Sequence, residues 1–243
     1  MPRFFVNSES ISDGRLEIRG EDAFHIARAL RMAVGDGITV ADTDGRVHTC
    51  RLLKIRDDAV LCEITGTADS ESESPVHIRL YMAYPKSDKL EVIVQKAVEL
   101  GAAEIIPFTS SRCIKRPVAE KEERQTARLN RIAEEAAKQC GRSVLPKISR
   151  PKDFLTAMRE ASEAELALIC YEGEDGLSIK DALPNTPPKT LSVVVGSEGG
   201  FSAEEAESAV SLGLRSVTLG KRILRCETAP SFALSVISYL YEL

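Results

Sequence analysis

Apolar and polar residues alternate over the first 70 positions in a way that is typical of β-strands. The stretch GITVADTDGRVHTCRLLKI contains two such runs around residues 42–45, whose Asp-Thr-Asp-Gly sequence favours a hairpin turn. A second pair of runs surrounds residues 56–58 in KIRDDAVLCEI. The apolar spacing in GEDAFHIARALRM, residues 20–32, predicts one short helix between strands. We therefore predict a small β-rich domain over residues 1–70.

The pattern changes after the polar, acidic segment GTADSESESP, residues 66–75, which is typical of a linker. Short apolar runs then alternate with amphipathic stretches up to residue 243. The predicted strands are 76–84, 104–108, 165–171, 191–196 and 216–220, and the predicted helices are 87–101, 122–141, 202–213 and 229–243. This alternation predicts an α/β domain over residues 75–243, with a parallel sheet covered by helices on both faces.

Two of these helices carry end signals. Asp88 with Glu91, and Ser202 with Glu205, have the spacing of a capping box, in which two side chains satisfy the first backbone N–H groups. Gly101 is the expected stop of the first helix. In the 122–141 helix, the apolar positions are expected to face the core; they are Leu129, Ile132, Ala133, Ala136 and Cys140.

Composition adds several expectations. The chain has 43% hydrophobic and 28% charged residues, and it has neither a long apolar run nor a signal-peptide pattern, so a cytoplasmic protein without a membrane partner is expected. Its six cysteines include no CxxC pair, which favours free thiols over a metal site. The net charge is −5, but residues 79–150 alone carry +6. The basic middle could meet phosphates, because the local field matters more than the total charge.

A basic stripe occupies one face of the 122–141 helix, because Arg124, Arg128 and Arg131 recur at i, i+4 and i+7. Aromatic residues make up only 5% and tryptophan is absent, which favours recognition of RNA backbone and shape over base stacking. A solvated helix face is an equally good interpretation of the charges alone.

The glycine-rich stretch VVVGSEGGF, residues 193–201, follows directly after an apolar strand. It is neither the GxGxxG of dinucleotide-binding proteins nor a P-loop, and residues 215–220 lack the acid that a ribose would need. A nicotinamide oxidoreductase is therefore disfavoured. The remaining interpretations are a ligand loop at the carboxyl end of a parallel strand, or a plain turn.

A second strand end, LGKRILRCETA at residues 219–229, concentrates charge. Lys221, Arg222, Arg225 and Glu227 could hold phosphates or assist the departure of a proton from a weakly acidic group. Alternatively, Arg225 and Glu227 pair with each other, or the acid stabilises the start of the last helix.

Six segments together resemble a known family. They are RFF (3–5), HIARALRMAVGD (25–36), KSDKLEVIVQKAVELGAAEIIPF (86–108), RLNRIAEEAAKQCGRSVLP (128–146), VVVGSEGGFSAEE (193–205) and LGKRILRCETA (219–229). The chain resembles the bacterial 16S ribosomal RNA uridine-N3 methyltransferases of the RsmE type. It departs from their pattern at Ser197, where proline is usual, at Cys226, where threonine is common, and at Pro230 and Cys140.

This resemblance implies a PUA-like β-barrel, which binds RNA, followed by a SPOUT methyltransferase domain whose C-terminal part forms a trefoil knot. It implies S-adenosylmethionine as cofactor, no metal, and a homodimer. The implied reaction is methylation of N3 of one uridine in 16S ribosomal RNA of the 30S subunit. Two alternatives stay open at this stage: a methyltransferase of another RNA position, such as a ribose 2′-oxygen, and a non-catalytic RNA-binding factor in ribosome assembly.

The resemblance also implies roles for individual residues. Arg225 would stabilise the uracil anion, and Glu227 would orient Arg225 or accept the N3 proton. The cofactor-binding residues would be Val195, Gly196, Glu198, Gly199, Gly200, Leu219, Gly220, Ile223, Leu224, Thr228 and Ala229. The RNA-binding residues would be Arg3, His25, Arg28, Arg31, Lys86, Lys89, Arg112, Lys115, Arg124, Arg128 and Arg142.

Overall fold

A computed structural model of the chain describes residues 1–86 and 88–243. The chain forms two compact units. The first unit contains Met1–Glu73 together with Ala137–Leu145, and the second contains Ser74–Ala136 together with Pro146–Leu243.

The first unit is built on a six-stranded sheet, as the alternating pattern predicted. Its strands are β1 (Arg3–Val6), β2 (Ile11–Ser12), β3 (Arg15–Arg19), β4 (Gly37–Asp42), β5 (Arg46–Ile55) and β6 (Ala59–Asp69). They lie in the order β1-β4-β5-β6-β3-β2, with β1 parallel to β4 and the other pairs antiparallel. Both predicted turns, at 42–45 and 56–58, are confirmed by the antiparallel pairs β4–β5 and β5–β6.

The core of this unit follows the period of two. Every second residue of a strand points inward, so Leu16 and Ile18 of β3 are buried, as are Ile38 and Val40 of β4. The predicted short helix is α1 (Glu21–Phe24), which continues as a π-helical turn over His25–Ala29. A single 3₁₀ turn, Ser8–Ser10, precedes β2.

The prediction of a linker over residues 66–75 is wrong in part. Residues 66–69 belong to β6, where they pair with β5. Beyond the strand, Glu73 is anchored by the 137–145 segment: its carboxylate accepts hydrogen bonds from Arg142 Nη2 at 2.6 Å and from the Ser143 backbone N–H at 2.8 Å. The sequence pattern gave no sign of this pairing because the partners are about 70 residues apart.

The second unit contains a seven-stranded sheet in which all pairs are parallel, which confirms the predicted α/β class. Its strands are β7 (His77–Ala83), β8 (Glu104–Thr109), β9 (Lys147–Ile148), β10 (Lys152–Asp153), β11 (Leu166–Cys170), β12 (Thr190–Val195) and β13 (Arg215–Val217). The order is β10-β8-β7-β12-β11-β13, and β9 pairs with β8. The trefoil knot concerns the path of the chain rather than this strand order, and it stays a prediction.

The helices of the chain after β7 are α2 (Lys89–Glu99), α3 (Ala119–Cys140), α4 (Phe154–Ser162), α5 (Ile179–Ala182), α6 (Ala203–Ser211) and α7 (Thr228–Tyr241). The four predicted helices correspond to α2, α3, α6 and α7; the first residue predicted for α2, Ser87, lies outside the described residues. Within the described part of the chain, no helix is long and apolar enough to cross a membrane.

One of the two predicted capping boxes is confirmed and the other is wrong. Ser202 and Glu205 exchange both hydrogen bonds at the start of α6. Asp88 makes no side-chain cap, because its backbone, at φ −93° and ψ 12°, is not in the extended conformation that an N-cap requires. Cys140 is exposed rather than packed in the core, since it is the last residue of α3.

We predict that Glu73→Gln destabilises the first unit by about 2 kcal/mol, because it removes one partner of a largely buried ion pair. The Arg142 side chain is only 6% exposed. Burial by itself raises the pKa of Glu73, but the hydrogen bond and charge of Arg142, together with the backbone N–H groups of Ser143 and Val144, leave this pKa lowered. The stability that ionised Glu73 adds is therefore fully present above the pKa of the unfolded carboxyl group, about 4.3. It is lost as the pH falls through the lower pKa of the folded state.

Urea denaturation at several pH values measures this difference. The gap between wild type and Glu73→Gln should be constant above about pH 5 and shrink below about pH 4. Glu71→Gln, at an exposed position of the same segment, is the matched control and should change stability by no more than about 0.5 kcal/mol. A gap that does not depend on pH would contradict the ion-pair interpretation.

Candidate active site

Three neighbouring strands of the second unit end at the same level. Strand β11 lies between β12 and β13, and its last residue, Cys170, is in register with Val195 on one side and Val217 on the other. Because all three strands are parallel, the loops that follow them leave the sheet at one edge. These loops contain residues 171–178, 196–202 and 218–227.

The three loops surround a cavity of about 420 Å³. The wall outside the loops includes Lys89 at the start of α2 and Ala229 at the start of α7. The loop residues that line the cavity are Tyr171, Glu172, Gly196, Ser197, Glu198, Gly200, Phe201, Thr218, Leu219, Gly220, Lys221, Arg222, Ile223, Leu224, Arg225 and Cys226.

The 196–200 loop is closed so tightly that it requires glycine. A Cβ atom on Gly196 would lie 3.0 Å from the Cα atom of Gly200, and Gly200 itself has φ +61°. The Gly200 backbone N–H donates to the Ser197 carbonyl at 3.0 Å, which completes the turn. Ser197 is buried, and its hydroxyl has no protein hydrogen-bond partner among the described residues. The glycines thus leave backbone, rather than side chains, facing the cavity.

Lys89 joins two acidic residues from different loops, Glu198 and Glu227. Its Nζ atom lies 3.1 Å from Glu198 Oε1 and 3.1 Å from Glu227 Oε2. The Glu198 carboxylate also accepts the backbone N–H of Lys86 at 3.1 Å. The Glu227 carboxylate accepts the thiol of Cys226 at 3.2 Å. Both acids are therefore already engaged by groups of the protein.

These contacts set the protonation states. Burial acts to raise the pKa of Glu198, but hydrogen bonds from its own backbone N–H, Lys89 and Lys86 leave it lowered. The pKa of Glu227 is lowered by its backbone N–H, against burial, and by Cys226 and Lys89. Hydrogen bonds to Glu198 and Glu227 raise the pKa of Lys89. Burial, with the bond to Glu227, raises the pKa of Cys226 to about 12, so this thiol stays protonated.

Arg225 lines the cavity with a free guanidinium. Its side chain is exposed, and in the part of the chain that is described it makes no hydrogen bond or ion pair. The pair between Arg225 and Glu227, one of the alternatives above, does not form among the described residues, because the Glu227 carboxylate is bound by Lys89 and Cys226 instead. The site therefore combines two fixed carboxylates, Glu198 and Glu227, with Arg225 and the other unpaired cations of the 218–227 loop.

Most of the predicted cofactor-binding residues line this cavity, but Gly199 and Thr228 do not. A Cβ atom on Gly199 would lie 2.9 Å from Arg112 Cβ. The Gly199 carbonyl accepts a hydrogen bond from the Arg112 guanidinium at 3.0 Å. Thr228 is the exposed first residue of α7, and its backbone N–H donates to the Arg225 carbonyl at 2.8 Å. These two residues support the loops from outside.

Sequence reasoning missed the third loop. Tyr171 and Glu172 line the cavity, as does Cys170 at the end of β11. Their position at the carboxyl end of a predicted parallel strand was a usable signal, but this strand end lacks a glycine-rich stretch. Glu172 approaches the glycine loop closely, since its Oε1 atom would lie 3.2 Å from a Cβ atom on Gly200.

The predicted RNA-binding residues of the second unit have different surroundings. Lys86, Lys115 and Arg124 are exposed. Arg128 is exposed and pairs with Glu91 of α2 at 2.8 Å. Arg112 is exposed but holds the Gly199 carbonyl. Lys89 is part of the cavity wall.

In the first unit the prediction needs two corrections. Arg142 is buried and bound to Glu73, so it is not free to contact RNA. The Arg3 guanidinium donates to the Gly141 and Arg142 carbonyls at the end of α3, which gives it a structural role. His25, Arg28 and Arg31 are exposed, and Arg28 forms a two-bond pair with Asp57.

Comparison with known protein families matches both parts of the chain. Residues 72–238 match the family model of the RNA methyltransferase domain. Residues 18–65 match that of the RNA methyltransferase PUA domain. The two matches agree with the α/β character of the second unit and the β-rich character of the first.

Individual relatives cover the whole length. The ribosomal RNA small subunit methyltransferase E of Bacillus subtilis is 33% identical over 100% of this chain and 98% of its own length. The crystal structure of the enzyme of the same name from Neisseria gonorrhoeae, bound to S-adenosyl methionine, has a TM-score of 0.84 at 30% identity and covers 99% of this chain and 98% of its own. A methyltransferase structure from Legionella pneumophila with bound cofactor SAM has a TM-score of 0.87 at 31% identity, covering 98% and 96%. The chain therefore belongs to the RNA methyltransferase family and carries that family's PUA domain before its methyltransferase domain.

Proposed function

We propose that this protein transfers a methyl group from S-adenosylmethionine to N3 of a uridine in small-subunit ribosomal RNA. The observation that carries the proposal is the free Arg225 guanidinium inside a glycine-walled cavity at three adjacent strand ends. The full-length relatives from Bacillus subtilis and Neisseria gonorrhoeae, named for methylation of small-subunit ribosomal RNA, support the choice of substrate.

The cavity fits the cofactor. Its volume falls within the range of about 300–1,000 Å³ that is usual for small-molecule sites. The close approach of Gly196 to Gly200 fixes the turn of the glycine loop, so that its backbone forms one wall of the cavity. Val195, Leu219 and Leu224 add apolar wall, while exposed backbone groups of the loops can bind the edge of the adenine ring. When bound, S-adenosylmethionine supplies an electrophilic methyl group on a sulfonium.

The chemistry of uridine N3 requires help from the protein, because this nitrogen carries a proton and becomes a good nucleophile only when the proton leaves. Arg225 lines the cavity together with Lys221 and Arg222, and none of the three side chains has a hydrogen bond or ion pair among the described residues. Arg225 is two residues from Glu227, so we assign its charge to the uracil anion. Glu227 is held as a carboxylate by Lys89 and Cys226. A lowered pKa makes it a weak base, and Glu227 is not among the residues that line the cavity, so we assign it to holding Lys89 and assign charge stabilisation to Arg225.

RNA would be bound mainly through its phosphates. The exposed cations of the second unit suit contacts with the RNA backbone: Arg124 has no ion pair among the described residues, and Arg128 is partly offset by Glu91. In the first unit, His25 and Arg31 are the exposed basic groups without a partner among the described residues. Homodimerisation, recognition of the assembled 30S subunit and a cytoplasmic location stay predictions.

Nucleoside mass spectrometry tests the reaction itself. Purified protein, S-adenosylmethionine and unmodified small subunits should yield N3-methyluridine. A ribose 2′-O-methylated nucleoside would replace the proposed reaction with the rival one. Absence of any methylated product, with no cofactor binding, would favour a non-catalytic assembly factor.

We expect Gly196→Ala to weaken S-adenosylmethionine binding about tenfold or more, because overpacking by a methyl group costs about 1–3 kcal/mol. The added Cβ would press on Gly200 at 3.0 Å. Isothermal titration calorimetry measures the affinity. Gly66→Ala, where a Cβ meets nothing within 4 Å, is the control and should bind as wild type does. Unchanged affinity of Gly196→Ala would show that the loop is not the cofactor cradle.

Arg225→Ala should slow single-turnover methylation by about 10²–10³-fold, the usual effect of removing one group that stabilises a developing anion. Its affinity for the cofactor should stay within about twofold of wild type, because the guanidinium makes no bond to the cavity loops among the described residues and its loss leaves them in place. Arg159→Ala, an exposed arginine on α4, serves as the charge-matched control. A normal rate together with normal binding would remove Arg225 from the mechanism.

Replacing Arg124 and Arg128 by glutamate should weaken RNA binding and reduce its dependence on salt, since fewer counterions are released. The slope of log affinity against log salt should fall by about 1–2. Arg124→Glu alone should give most of the change, because Arg128 is already paired with Glu91. Arg159→Glu is the control. An unchanged slope would mean that this stripe faces solvent or a second subunit.

A further inference from the structure

Lys89 occupies an unfavourable place for an isolated lysine. It is the first residue of α2, where the helix dipole presents its positive end and an acid is preferred. Asp88, directly before it, does not cap the helix with its side chain. Glu91, the acid in the first turn of α2, is paired with Arg128, so the compensation for the ammonium group comes from outside the helix.

That compensation comes from two different loops. Glu198 belongs to the glycine loop after β12, and Glu227 ends the charged loop after β13. Each places one carboxylate oxygen 3.1 Å from Lys89 Nζ, so the two oxygens can be no further apart than twice that distance. Two carboxylates at such a separation repel each other unless a cation lies between them.

Neighbouring groups add hydrogen bonds to this junction, which consists of Lys89, Glu198 and Glu227. The Lys86 backbone N–H donates to both oxygens of Glu198, at 3.1 and 3.3 Å. Lys89 Nζ also donates to Cys226 Sγ at 3.7 Å, while this thiol donates to Glu227. The Lys89 side chain is 34% exposed, and those of Glu198 and Glu227 are 28% and 26% exposed. The junction is thus partly shielded from water, where charge-assisted hydrogen bonds are stronger than at an open surface.

We propose that Lys89 is a positioning residue that ties the glycine loop to the 218–227 loop across the cavity, rather than an RNA-contacting residue. Its ammonium charge is paired with the carboxylates of Glu198 and Glu227 inside the site. Removing the ammonium would leave Glu198 and Glu227 facing each other without a cation, and the two loops would separate. The effect of this on cofactor affinity rests on the proposed function, whereas the tie between the loops does not.

The test compares Lys89→Met, which keeps the length of the side chain but removes its charge, with Lys89→Arg, which keeps the charge. Lys96→Met, an exposed lysine on the same helix that pairs with Glu99, is the matched control. Hydrogen exchange of the cofactor-free protein, followed by mass spectrometry, reports on peptides that contain residues 196–201 and 218–229. Calorimetry then measures S-adenosylmethionine affinity for the same variants.

Lys89→Met should accelerate exchange in both loop peptides and weaken cofactor affinity, each by about tenfold, the scale of one hydrogen bond to a charged group. Lys89→Arg should keep exchange and cofactor affinity close to the wild-type values, and Lys96→Met should match wild type. Lys89→Met with wild-type exchange in both loops would overturn the proposal, as would acceleration that Lys89→Arg does not reduce. If the exchange result holds but the wild-type protein binds no S-adenosylmethionine, the tie stands and the proposed function fails.

Discussion

The site depends on one constraint, which is that three neighbouring parallel strands end at the same level of the sheet. Because Cys170 is in register with both Val195 and Val217, loops that begin 22 to 47 residues apart in sequence leave the sheet side by side. None of these loops forms a cavity wall alone. Their shared edge explains why the middle loop needs glycine at positions 196 and 200, where backbone meets backbone at the limit of contact.

The charges of the cavity follow from this crowding. Two acids are brought close together by separate loops, and Lys89 offsets both of them with one ammonium group. Arg225 lies in the same cavity and, like Lys221 and Arg222, has no ion pair among the described residues. The paired charges hold the loops together, and on the proposed function the charge of Arg225 meets the reacting anion. This division of roles joins the packing of the site to its proposed chemistry.

Local pattern predicted the elements well, because alternation and helical spacing directly reflect which side of an element is buried. It also found the glycine loop and Arg225, since both follow apolar strand runs. It failed where the surroundings of a side chain are set by residues far away in the sequence. Arg142 counted as a basic surface residue, but Glu73 holds it in the interior. Lys89 looked the same as Lys86 in sequence, and only the positions of two remote carboxylates distinguish them.

On the proposed function, this cavity serves methylation of uridine N3 in small-subunit ribosomal RNA. The most direct measurement is nucleoside analysis of small-subunit RNA from cells that lack the protein. N3-methyluridine should disappear, and it should return when the wild-type chain is supplied but not when Arg225→Ala is supplied. Small-subunit RNA that keeps its N3-methyluridine in the absence of the protein would contradict the account.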